Sequence, residues 1–135
     1  MSIIGTAHTA FTSGDMAASI QFYTEVLQLD HAFSVPAEDG SPWIEYIRTG
    51  PQQYIELFHG GSVRHRRREG EIGPHHLCLL AEDIESIKQQ LDASGWPIKA
   101  GPKRGIGKNW QLWLEDPDGN LIECIQPDAD SPHLR

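Results

Sequence analysis

Four side chains stand at matching places along the chain: His8 and Glu56, then His76 and Glu123. The two histidines are 68 residues apart, and each is followed seven residues later by an aspartate, Asp15 or Asp83. The two glutamates are 67 apart, inside Tyr54-Ile55-Glu56-Leu57-Phe58 and Leu121-Ile122-Glu123-Cys124-Ile125, and Trp43 repeats as Trp110 at the same 67. Landmarks at almost one offset mark an internal duplication of a half-domain of about 65 residues. Side chains alternate across a strand, so Glu56 shares a face with Tyr54 and Phe58, and Glu123 with Leu121 and Ile125. An acid between apolar neighbours is costly to bury unless it is paired or ligates a cation. Two imidazoles and two carboxylates suit one divalent ion: nickel, zinc, cobalt, iron or manganese. If a pseudo-twofold relates the halves, His8, Glu56, His76 and Glu123 converge on that ion. Two adjacent coordination positions then stay open for water or a bidentate small molecule.

Other candidates fit less well. His75 competes with His76, but it points to the opposite strand face, and the seven-residue spacing to Asp83 selects His76. Glu45 and Glu115 lack a counterpart in the other copy and read as peripheral, and His31, His59, His65 and His133 read as surface residues.

The elements that must position these groups follow the same repeat. A strand over about 3–11 leads to Asp15, which caps a helix with a predicted buried stripe of Met16, Ile20, Tyr23 and Leu27. Strands over about 32–35, 43–48 and 53–58 come next, with turns at Glu38-Asp39-Gly40 and Gly50-Pro51. In the second copy a strand over 75–81 precedes the cap Asp83, a stripe of Ile84, Ile87 and Leu91, and a stop at Gly95. Strands over about 97–100, 109–114 and 120–126 complete it, the last two joined by Asp116-Pro117-Asp118-Gly119. The prediction is an α+β fold of two tandem βαβββ modules, over about 3–60 and 73–127, in one domain with a basic linker over 61–72.

The whole chain sets the outer bounds. Its 135 residues carry 11 Lys and Arg against 19 Asp and Glu, a net charge of −8. A surface this acidic repels phosphate backbones and anionic lipid heads, which excludes nucleic acid and membrane as main partners. No apolar run approaches the length of a bilayer span. The start, Met1-Ser2-Ile3-Ile4-Gly5, has neither the basic nor the apolar stretch of a signal peptide. Cys78 and Cys124 therefore read as reduced thiols of a cytoplasmic protein.

From Gly5 to about Gln126 the chain resembles the vicinal oxygen chelate superfamily of glyoxalase I, bleomycin-binding proteins and extradiol dioxygenases. The resemblance rests on His8…Asp15 with Phe22-Tyr23 and Val26-Leu27, on Ile55-Glu56-Leu57-Phe58, on His76-Leu77-Cys78-Leu79 before Asp83, and on 115–123. Within that superfamily the His/Glu/His/Glu set is most similar to the bacterial glyoxalase I (lactoylglutathione lyase) branch, often nickel-using. The resemblance implies a metal-dependent isomerase or lyase acting on a small α-hydroxycarbonyl or hemithioacetal through an ene-diolate. It implies Glu123 as the base, with Glu56 its counterpart, and a homodimer. A dioxygenase or a metal-free binding protein are the alternatives, and a fourth ligand at Glu56 is surplus to the first. Two departures bear on the substrate. Glutathione-using glyoxalases tend to carry an arginine four residues after the first ligand and an asparagine four after the first glutamate; here Thr12 and Gly60 stand there. Replacement handles are sought in Arg64-His65-Arg66-Arg67-Arg68, which reads as a solvated linker, and in the basic, glycine-rich stretch 101–108.

Overall fold

The computed structural model describes residues 2–135. Two compact units divide the chain, one reaching His65 and the other starting at Arg66. The first runs β1 (His8–Thr12), α1 (Met16–Gln21) with a π-helical turn after it (Phe22–Val26), β2 (Asp30–Val35), β3 (Ile44–Gly50) and β4 (Gln53–Phe58). Its sheet has the order β1-β4-β3-β2, with β1 parallel to β4 and the other pairs antiparallel. Register makes one face of this sheet a grid. His8 lies beside Tyr54 and Arg48, and Ala10 beside Glu56, Tyr46 and Phe33. The other face, with Ile47, Ile55 and Leu57, is buried against the helix residues Phe22, Tyr23 and Val26 to form the core.

Asp15 caps α1 as its position predicts, accepting from the Ala18 amide at 3.1 Å. The buried stripe differs from the expected one. Of Met16, Ile20, Tyr23 and Leu27 only Tyr23 is buried, and Ser19, Phe22 and Val26 take the inner face. Ser19, Phe22, Tyr23 and Val26 keep ordinary helical spacing, so the helix buries a face displaced by one residue from the expected one. At its end the Leu27 amide bonds to the Phe22 carbonyl at 3.0 Å, five residues back, in a π turn. That turn carries more residues than an α turn and so rotates the side chains beyond it about the helix axis. Ser19 is tolerated inside because its hydroxyl meets that of Ser13 at 2.7 Å.

The second unit repeats the order: β5 (Leu77–Leu80), α2 (Ile84–Ser94), β6 (Ala100–Arg104), β7 (Asn109–Glu115) and β8 (Leu121–Pro127), then a 3-10 turn (Pro132–Leu134). Its sheet order, β5-β8-β7-β6, matches the first. Asp83 caps α2 through the Glu85 and Ser86 amides, and Gly95 ends it in the left-handed region at φ 69°. Ile84 and Leu91 are buried, and Ile87 half-buried. The strand expected over 97–100 starts at Ala100 and runs into the glycine-rich stretch instead. Gly101, at φ 91°, makes this possible: a Cβ there would sit 2.3 Å from the Gln111 carbonyl oxygen. The sharp turn before β8 is held by the buried Asp116, whose carboxylate accepts from the Asp118 and Asn120 amides at 3.0 and 2.9 Å. Cys78 pairs in register with Glu123 and Cys124 with Leu79, so the two free thiols point to opposite faces. Both units are thus βαβββ modules, the α+β architecture the repeat predicts.

Candidate functional site

In the first unit β1 lies parallel beside β4, and this adjacency brings His8 to Glu56. The imidazole Nε2 stands 3.2 Å from Oε2 of Glu56. Ala10, the register partner of Glu56, is small enough to leave that approach open. Glu56 is only 6% exposed, and its second oxygen, Oε1, accepts a short hydrogen bond from the Tyr46 hydroxyl on β3. The bond to Glu56, then burial and the carboxylate's charge, hold the Tyr46 proton above its ordinary value. Tyr46 is stacked on Phe33 with centroids 4.2 Å apart and meets Tyr54 edge-on at 5.8 Å. Arg48 lies over the Tyr54 ring at 5.2 Å and donates to its hydroxyl at 3.2 Å.

The second unit repeats the pair with different surroundings. His76, just before β5, places Nε2 at 3.1 Å from Oε2 of Glu123. Its other ring nitrogen meets Nδ1 of His75 at 2.8 Å. Trp113 occupies the cross-strand position that Tyr46 has in the first unit, with its ring edge-on to His76 at 4.8 Å. Cys78 stands where Ala10 stands. Burial, the Glu123 charge and a hydrogen bond to that carboxylate push its thiol up to about 12.

Whether these residues fit a metal depends on donor chemistry and spacing. Two bonds of about 2.1 Å at a right angle separate their donor atoms by about 3 Å. Both Nε2–Oε2 separations, 3.2 and 3.1 Å, match neighbouring ligands on one ion. Among the described residues no three His, Cys, Asp or Glu side chains gather as a metal group, so each unit presents a two-donor pair.

The remaining sequence candidates have their own partners. Glu45 accepts from His31 at 2.7 Å, from His59 at 3.0 Å and from Ser34, so its carboxylate gathers residues from β2 and the end of β4. A bulge between His31 and Phe33 turns His31 and Ser34 to the same side, a juxtaposition the linear sequence does not display. Burial alone would raise the Glu45 carboxyl, but the hydrogen bonds from Ser34, His59 and His31 outweigh it and leave it lowered. Glu115 pairs with Lys99, and His133 meets the Asn109 amide at 3.1 Å. His65 and Arg64 to Arg68 are exposed, with Arg68 near Glu71 at 3.9 Å. Within 101–108, Arg104 pairs with Asp128 and Lys108 with Asp130, which neutralises two of its three cations. Thr12 ends β1 on the same face as His8, and Gly60 sits at φ 93° with open space around it. Sequence reasoning missed Tyr46: the turn pair Gly50–Gln53 alone would set Ile47 opposite Glu56, and a register shift between Arg48 and Gly50 puts Tyr46 there instead.

Known proteins share the sequence and fold over most of the chain. A 2-epi-5-epi-valiolone epimerase from Actinomyces sp. is 25% identical, over 93% of this chain and 80% of its own. A probable lactoylglutathione lyase from Vibrio parahaemolyticus is 28% identical, with 88% of each chain covered. Among solved structures, TnmS3, an antibiotic binding protein from Streptomyces sp. CB03234, superposes with a TM-score of 0.71 at 23% identity, over 95% of this chain and 99% of its own. That likeness shows the fold. Residues 5–124 match the profile of the glyoxalase/bleomycin resistance protein/dioxygenase superfamily, a span that takes in both His–Glu pairs up to Glu123. With two βαβββ modules of the vicinal oxygen chelate kind, the chain belongs to that superfamily.

Proposed function

We propose that the protein is a metal-dependent isomerase or lyase of glyoxalase I type that moves a proton between adjacent carbons of a small α-hydroxycarbonyl compound. The observation that carries this reading is the duplicated His–Glu pair, with the same two atoms at 3.2 Å in one unit and 3.1 Å in the other. His8, Glu56, His76 and Glu123 would hold one divalent ion, nickel or zinc first. When bound, such an ion would supply Lewis-acid polarisation of two vicinal oxygens of the substrate. Glu123 takes the proton from the C–H and returns it to the neighbouring carbon, which needs the carboxylate within hydrogen-bond reach. Glu56 would stay bound as a ligand.

Thr12 and Gly60, in place of the glutathione contacts, favour a small α-hydroxycarbonyl over a glutathione hemithioacetal as substrate. The relative named an epimerase supports the same direction, since removing and returning a proton beside a carbonyl is one way to invert a stereocentre. The test is an assay of nickel- and zinc-loaded protein in heavy water, on α-hydroxyketones and on the methylglyoxal–glutathione hemithioacetal. Deuterium entering the α-hydroxyketones, with little turnover of the hemithioacetal, is the expected result. Efficient hemithioacetal turnover would restore glutathione as the handle. Protein that takes up no divalent ion would replace the enzyme with a small-molecule-binding protein.

A further inference from the structure

The two carboxylates are not held alike, and this difference assigns them different work. We infer that Tyr46 is a positioning residue that locks Glu56 in place as a metal ligand, leaving Glu123 as the carboxylate that can move; the inference rests on the proposed four-ligand site. In the first unit both oxygens of Glu56 are committed. Oε2 faces His8, and Oε1 accepts from the Tyr46 hydroxyl. Tyr46 is itself fixed, stacked on Phe33 and flanked by Tyr54. A phenol clamped on two sides holds its acceptor in one rotamer, and turning Glu56 would strip a buried carboxylate of that bond.

The second unit lacks this clamp. The residue opposite Glu123 is Trp113, which carries no hydroxyl and presents its ring to His76. The group beside Glu123 is the Cys78 thiol, a weak donor. Among the described residues no hydroxyl reaches Glu123. A carboxylate that must leave a metal, take a proton and return needs few strong bonds besides that to the metal, and Glu123 meets this condition while Glu56 does not. The substitution that separates the two roles is Tyr46 on one side against Trp113 on the other, at equivalent register positions.

The experiment measures zinc and nickel affinity by chelator competition on the full chain, for wild type, Tyr46→Phe, Glu56→Ala and the double variant, with melting curves of the metal-free forms. Tyr46→Phe should weaken metal binding about 10- to 100-fold. In the Glu56→Ala background the same change should have no further effect on affinity, because Tyr46 acts through Glu56. A hydroxyl with a merely structural role would lower the melting temperature without moving the affinity. Affinity unchanged within twofold in Tyr46→Phe, or an equal loss with and without Glu56, overturns the inference and leaves the four-ligand reading standing. Wild-type protein without a stoichiometric metal, or with affinity indifferent to His8→Ala, takes both down.

Discussion

A histidine that ligates through Nε2 needs its other nitrogen protonated and held, and His75 is placed to accept from Nδ1 of His76 at 2.8 Å. Two neighbouring histidines therefore carry different tasks. His76→Ala should abolish stoichiometric metal binding, whereas His75→Ala should weaken it about tenfold without abolishing it; equilibrium dialysis separates the outcomes, and an equal loss from both would make His75 a ligand. Cys78 offers a second check on the same strand. In chelator-treated protein its thiol, pushed up to about 12, should alkylate slowly at pH 8, and Glu123→Gln should speed the reaction by removing the charge beside it. A rate equal in both proteins would break the link. Residue types and a repeated offset picked out His8, Glu56, His76 and Glu123 as candidates, which the fold joins as two His–Glu pairs. Tyr46 and the role of His75 were not readable that way, because one depends on cross-strand register and the other on how a strand begins.

Elements here are fixed by a few backbone positions. Gly101→Ala forces a left-handed residue against the Gln111 carbonyl and should destabilise by at least about 2 kcal/mol, while Gly70→Ala, also at positive φ but in open space, should cost about 1 kcal/mol. Urea unfolding midpoints compare them, and equal losses would mean that β6 relaxes around the added methyl. Glu45 ties β3 to β2 and to the end of β4. Its carboxyl lies lower in the folded protein than its ordinary 4.5, so the stability it contributes is complete above that value and disappears as pH falls through the folded one. Glu45→Gln should flatten the dependence of melting temperature on pH below about 4.5; an unchanged acid limb would contradict it. The strand and helix count was legible from periodicity, caps and turn residues. The stripe of α1 and the start of β6 were not, since the choice between two adjoining helix faces and a glycine bulge are settled by packing against the sheet.

Across the whole molecule the basic residues are unevenly spread: four of the eleven lie between Arg64 and Arg68, an exposed stretch without strand or helix. Trypsin under native conditions should cut there before anywhere else and leave both βαβββ units intact. First cleavage at Lys88, inside α2, would argue against it. No helix among the described residues is long and apolar enough to cross a membrane. The repeat itself has an evolutionary meaning. Two copies of one identical module, encoded by a single gene, must present the same residue opposite both carboxylates. Once the copies are joined in one reading frame, each codon mutates alone, and a tyrosine opposite Glu56 can coexist with a tryptophan opposite Glu123. Fusion is what permits a symmetric architecture to acquire an asymmetric division of labour.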